Sequence, residues 1–233
     1  MVKNSIEKKQ LQAALKAAFN ASKVEETRPT TMDLKEEIGQ SFTIIKFPDS
    51  PWKGATTICT LGLANYIGKD VDDGNIRQEL MFTAISPHIS PEVTDCIYRV
   101  AEKLRRENLE VGNAIPPVVV PFDSVIEEGG TIWGVTLYVP LELEDPVISS
   151  FKPPIHLQWL LPLTKKEVEY VINTPVAERA KAGSALIKQF QKHEINCYNL
   201  CREDVALPPS RKTTTVRSME PSGSKSSQFC ERD

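Results

Sequence analysis

Histidine is scarce in this 233-residue chain, and the three present, His88, His156 and His193, lie far apart. None stands in a His-x-x-x-His or His-x-Glu spacing, so a histidine-built metal centre has no local basis. Cysteine gives as little. Cys59, Cys96, Cys197, Cys201 and Cys230 are odd in number and scattered; three residues separate Cys197 from Cys201, not the two of a zinc knuckle or redox pair. No Gly-x-Ser-x-Gly elbow is present to activate a serine. Gly62 falls inside a strand pattern, and Gly129-Gly130 precedes a strand rather than a helix, so neither forms a phosphate-binding loop. No apolar run approaches the ~20 residues of a membrane helix. Met1 to Gln10 lacks the apolar core of a signal peptide. These absences lead to expectations of a reduced, cytoplasmic protein with no membrane span, no metal and no cofactor.

Charge of one sign is also missing. The net charge is −3, with residues 207–233 at +2 and therefore residues 1–206 at −5. A mildly acidic body lacks the basic patch that nucleic acid needs. The cluster Arg99, Lys103, Arg105 and Arg106 is broken by Glu102 and Glu107 and reads as the solvated side of a helix.

Secondary structure is easier to see. Leu11, Leu15, Ala18 and Phe19 form a helical stripe, with Ser5 as its expected cap, so residues 1–23 are assigned an N-terminal helix. A polar connector, Ser22 to Gln40, leads to strands at Phe42–Phe47, Thr56–Leu63 and Arg77–Ile85. The last two are expected to pair antiparallel. Ser90 caps a helix with Pro91 in its first turn and Val93, Ile97, Val100 and Leu104 on one face. The proline-punctuated segment Ile115 to Phe122 suits a sheet edge. A strand at Ile132–Val139 follows, with Trp133, Val135, Leu137 and Val139 on one face.

Next comes the most ordered pattern in the chain. Ile155, Leu157, Trp159 and Leu161 alternate as one buried strand face, and Pro162 leads into a Thr164-x-x-Glu167 capping box. A last helix has Ala180, Leu186, Ile187 and Phe190 as its stripe. Residues 206–233, rich in proline, serine and charge, form an expected disordered tail. Together the elements predict an α/β class, an α+β sandwich with a single mixed β-sheet of about five to six strands packed with helices.

Candidate chemistry is thin, and no catalytic residue is assigned. Glu127 and Glu128 are adjacent in a turn and read as solvated. His156 falls opposite the apolar row, beside Gln158, and reads as a polar-face histidine. Asp70, Asp72 and Asp73 cluster at a hairpin tip that suits either a solvated turn or a basic partner. Trp52, in the turn Pro48 to Gly54, is either an exposed anchor or a plug at the end of the core.

In order along the chain, several pieces resemble one family. Phe47-Pro48-Asp49-Ser50-Pro51-Trp52 leads to Thr57-Ile58-Cys59-Thr60-Leu61-Gly62-Leu63, then to Glu79-Leu80-Met81-Phe82. Later, Ile155 to Thr164 passes into Lys166-Glu167-Val168-Glu169-Tyr170, and Gly183-Ser184-Ala185-Leu186-Ile187 lies on the last helix. This order is similar to the bacterial suppressor-of-fused-like domain, over about residues 24–195. Ala64 departs from the family's usual serine, and the link from Asn173 to Gly183 is longer than usual. The resemblance implies a sandwich domain at 24–205 with no known catalytic residues, which acts by holding a protein partner. Bacterial members often look like immunity proteins that neutralise toxins. The leading expectation is therefore a non-catalytic immunity protein or antitoxin that binds a cognate toxin stoichiometrically. Two alternatives stay open: a hydrolase or transferase with a site assembled from distant residues, and a non-toxin adaptor that sequesters a protein. The partner-binding residues expected are Asp70, Asp72 and Asp73, with the sheet face around Tyr138, His156 and Gln158.

Overall fold

The structure is a computed structural model and describes residues 6–27, 42–66, 68–70, 74–85, 89–107, 119–122, 126, 129–140 and 143–207. Helix α1 (Lys8–Ala18) opens the fold with Glu7 at its N-cap, and Leu11, Leu15 and Phe19 are buried as its stripe requires. The expected cap Ser5 lies outside the described residues. Strands β1 (Glu25–Thr27), β2 (Thr43–Pro48) and β3 (Thr56–Leu61) follow. A 3-10 turn, Leu63–Asn65, leads to the hairpin of β4 (Gly68–Asp70) and β5 (Gly74–Ala84). Helix α2 (Pro91–Glu107) crosses to β6 (Val119–Pro121), β7 (Ile132–Tyr138), β8 (Val147–Ile148) and β9 (Ile155–Thr164). Helices α3 (Lys165–Ile172) and α4 (Arg179–Lys192) complete the described elements.

The strands form one mixed sheet in the order β1-β2-β3-β5-β9-β7-β6, with β4 on β5 and β8 on β9. Only β5 and β9 run parallel; the expected β3–β5 pair is antiparallel, and 119–121 forms an edge strand. One sheet face carries α1, α3, α4 and the segment that follows them, over a core that includes Phe47, Leu61, Trp159, Leu161 and Leu186. The other face is covered by α2 through Val93, Ile97, Val100 and Leu104. The expected α+β sandwich therefore holds, while the strand count needs correction. Nine strands are present among the described residues, against the five or six expected. The additional ones, β1, β4 and β8, span only two or three residues, as does β6, the expected edge segment. So short a segment has no period-2 pattern to read, and it becomes a strand because a longer neighbour offers unpaired amides.

One strand face also shifts. A register irregularity between Ile132 and Gly134 puts Ile132, not Trp133, into the core row with Val135. Trp133 is left half-buried, 4.9 Å from Lys165 Nζ. Gly134 is then pressed against α3 and β6. A Cβ there would lie 2.7 Å from Val168 Cγ2 and 2.9 Å from the Val120 carbonyl oxygen. Because the second neighbour is backbone, Gly134→Ala should cost about 1–3 kcal/mol, as overpacking does. Thermal unfolding checks this: an unchanged midpoint would show that β6 moves aside freely.

Two of the expected helix starts are present, whereas α1 has Glu7 at its N-cap in place of Ser5. Ser90 Oγ accepts the Val93 amide at 3.4 Å, and Thr164 with Glu167 forms the capping box, the Thr164 amide donating to Glu167 Oε2 at 2.8 Å.

Candidate partner-binding surfaces

The turn after β2 is tied down at several points. Asp49 sits at φ 52° and Gly54 at φ 87°, and the Gly54 amide donates to Asp49 Oδ1 at 2.9 Å. Ser50 Oγ donates to the Phe19 carbonyl at 2.6 Å, and Thr57 Oγ1 donates to the Ser50 carbonyl at 2.9 Å. Trp52 rides on this braced turn. Its ring meets Tyr198 edge-on at 4.9 Å, and Tyr198 stacks on buried Trp159 at 5.3 Å. Ile85, at the end of β5, donates its amide to the Tyr198 carbonyl at 2.8 Å. Trp52 is 37% exposed and Ile85 47%. Trp52 is thus packed against Tyr198 at the end of the core and remains partly exposed. An aromatic side chain fixed by its neighbours loses little entropy on binding, which is the property of an interface anchor. Tyr198 is the residue that sequence reasoning missed here, because nothing local links it to Trp52.

The second surface is divided. Tyr138 pairs in register with Trp159 and packs on the same core, so it lies on the face covered by α1, α3 and α4. His156 and Gln158 alternate with Leu157 and Trp159 and therefore point to the opposite face. The three expected contact residues do not share one sheet face. His156 pairs with Gln78 on β5 and with Val147 on β8, and Gln158 pairs with Leu80. His156 and Gln158 are half-buried, and Val139, 52% exposed, follows Tyr138 out of β7. Of the acidic cluster, Asp70 lies in β4 in register with Gly74, whereas Asp72 and Asp73 lie outside the described residues.

Of the buried carboxylates Glu79, Asp95, Glu102 and Glu167, two are fully buried, and the sequence did not single them out as such. Glu79, on β5, is fully buried. Pairing between β3 and β5 runs only as far as Cys59 and Met81. Beyond it the Thr60 hydroxyl donates to Glu79 Oε2, and the amides of Gly62 and Ala64 donate to Glu79 Oε1 at 2.9 and 3.0 Å. Gly62 adopts φ 109°, and its left-handed turn aims these amides inward. Burial pushes the Glu79 carboxyl up to about 7 despite these donors. Such a value would suit a general acid or base, but this group is sealed from solvent and its oxygens are occupied.

Glu167 is the other. Arg202 embraces it, with Nη1 donating to Oε1 at 2.7 Å and Nη2 to Oε2 at 2.5 Å, and Nη2 also donating to the Pro162 carbonyl at 2.9 Å. The Arg202 guanidinium lies 4.9 Å from the Phe190 ring centroid. This pair fastens the segment after α4 beneath the start of α3, and Thr131 bonds that segment through the Leu200 and Arg202 carbonyls. Burial raises the Cys59 thiol well above its ordinary value and the Cys197 thiol to about 11, so neither is poised as a thiolate. Among the described residues no group of three or more His, Cys, Asp or Glu is placed to hold a metal ion. No helix among them is long and apolar enough to cross a membrane.

The chain is similar in structure to a protein from Neisseria gonorrhoeae assigned as a SUFU (suppressor of fused protein) homolog, known from a 1.40 Å crystal structure. The TM-score is 0.63 at 13% sequence identity, over 87% of this chain and 98% of that one. The fold is suppressor-of-fused-like. No family model matches the sequence, and no curated protein matches it either. The suppressor-of-fused-like motifs now have a physical reading. Thr60, Gly62 and Glu79 are the donors and acceptor of the buried carboxylate nest, and Thr164 with Glu167 is a helix cap that is also half of a buried ion pair.

Proposed function

We propose that this chain is a non-catalytic protein-binding module that neutralises a cognate bacterial toxin by occluding it stoichiometrically. The observation that carries the reading is the braced aromatic pair Trp52 and Tyr198, to whose backbone the exposed Ile85 is tied. A partly exposed indole held against a second ring is the kind of residue that supplies much of an interface's affinity. The interior charges support it from the other side. Glu79, Glu167 and Arg202 are all engaged in holding the scaffold, which leaves recognition to the surface. On this reading Asp70, Asp72 and Asp73 steer a basic partner, and His156 with Gln158 forms a separate polar contact. The module acts in the cytoplasm, in keeping with cysteines Cys59, Cys197 and Cys201 that form no disulfide among the described residues.

The test pairs capture with rescue. A protein that copurifies with the chain at 1:1 from its native host is expressed alone and together with the chain. Toxicity alone and growth on co-expression are expected. Trp52→Ala should weaken the complex by roughly 2 kcal/mol or more, as loss of a hot-spot aromatic does. Replacing Asp70, Asp72 and Asp73 with Asn should lower the association rate and its salt dependence. A partner that is harmless alone would overturn the toxin reading while leaving the binding module intact.

A further inference from the structure

We propose that Glu79 is a proton-controlled latch that holds the Gly62–Asn65 turn and the start of α1. The geometry carries the proposal. The carboxylate occupies the point where β3 parts from β5 and bridges the two there beside the Thr60–Leu80 contact: its oxygens take the Thr60 hydroxyl and the Gly62 and Ala64 amides. The turn so held passes the constraint on, because Asn65 Oδ1 accepts the Ile6 amide at 2.8 Å, one residue before the α1 N-cap. Tyr66, next in the chain, lies 5.2 Å from the guanidinium of Arg105 on α2. The turn therefore touches both layers of the sandwich.

Two protonation states fit this nest. In the ionised state Thr60 donates to Oε2, and Thr60 Oγ1 accepts the Leu80 amide at 2.8 Å. On protonation Oε2 gains a hydrogen from solvent and donates it to Thr60 Oγ1. The Thr60 hydrogen then swings to the Leu80 carbonyl, 3.5 Å away. The Gly62 and Ala64 amides keep their acceptor in both states. Apart from the Thr60 hydrogen, the states differ in charge: the ionised form leaves one in a sealed site.

No cation relieves that charge among the described salt bridges. The charged and titratable groups on the elements packed there are few. On β5, Arg77 is buried two residues away on the same face and forms no described salt bridge with Glu79. On β3, Cys59 is a neutral thiol. On β9, Leu157 is the register partner, and His156 points to the other face. On α1, Leu11 and Leu15 face the core while Lys8 turns outward to Glu26 at 3.1 Å. The turn adds Tyr66 and, through it, Arg105, which is paired with Glu102 at 2.6 Å.

The direction follows from burial, which raises the folded carboxyl to about 7 from an ordinary 4.5. The folded nest thus holds its proton more tightly than the open one. Its contribution to stability is full below the ordinary value and is lost as pH rises through about 7. Amide hydrogen exchange at Gly62, Leu63 and Ala64, corrected for intrinsic rates, reads the latch. From pH 6 to pH 8 their protection should fall about tenfold, the ratio that these two pKa values give. In Glu79→Gln, which keeps an acceptor for the amides and carries no charge, protection should stay flat. An equal fall in both proteins, or none in the unmodified chain, would overturn the proposal. Should the variant not fold, the carbon-13 carboxyl resonance of Glu79 in the unmodified chain decides. A midpoint near 7 supports the latch, and a midpoint near 4.5 overturns it.

Discussion

Replacing Arg202 with Ala should destabilise the protein by about 3–5 kcal/mol, the cost of leaving a buried carboxylate without its partner. Glu167 is fully buried and Arg202 nearly so, which removes the solvent screening that makes surface ion pairs weak. The loss is compounded by the Pro162 carbonyl, which forfeits its donor, and by the Phe190 ring, which forfeits its guanidinium. Glu167→Ala should be similarly costly, since the same carboxylate accepts the Thr164 amide and, at 3.3 Å, the Val205 amide. Replacing both residues with Met should cost less than the sum of the single changes, because no lone charge remains. Urea unfolding of all four proteins compares these costs through midpoints and slopes. A single-variant cost below ~1 kcal/mol would mean that water reaches the pair.

Trp159→Ala comes next, at about 3–5 kcal/mol for a deleted core indole. Trp159 is 1% exposed, sits at the centre of the sheet on β9, and supports Tyr198 by stacking. Its Nε1 has no hydrogen-bond partner among the described residues, so Phe loses ring volume but no bond. Trp159→Phe should therefore cost well under half as much as Ala. Because Trp52 rests on Tyr198 and Tyr198 on Trp159, the alanine variant should also free Trp52. A red shift in its fluorescence and weaker partner binding, with the Trp52 side chain still present, are the expected signs. Unchanged emission would show that the turn alone holds Trp52.

The five long strands β2, β3, β5, β7 and β9 and the four helices were legible because each repeats its pattern long enough to be read. The alternation of Ile155, Leu157, Trp159 and Leu161 and the Thr164–Glu167 cap appear in the structure as expected. The bulge at Ile132–Gly134 was illegible: it exchanges Ile132 for Trp133 without any change in residue type. The assignment of Tyr138, His156 and Gln158 to one face failed for a related reason. Faces on two strands can be matched only when their register is known, and register is a tertiary property. Glu79 left one readable trace. It shares parity with Met81, a core residue, so an acid on the apolar phase of a strand was in view. Its donors, and the Arg202 that reaches Glu167 across 35 residues, belong to the fold and to no local motif.

The central claim is that a suppressor-of-fused-like scaffold serves here to hold a protein. Size-exclusion chromatography with light scattering, on the chain and its host-copurified partner, tests it most directly when run beside Trp52→Ala. The expected result is a 1:1 complex for the unmodified chain and dissociation for a variant of unchanged stability. A complex that survives Trp52→Ala intact would contradict the assigned anchor. No stable complex from the host, together with turnover in a substrate screen, would contradict the claim itself.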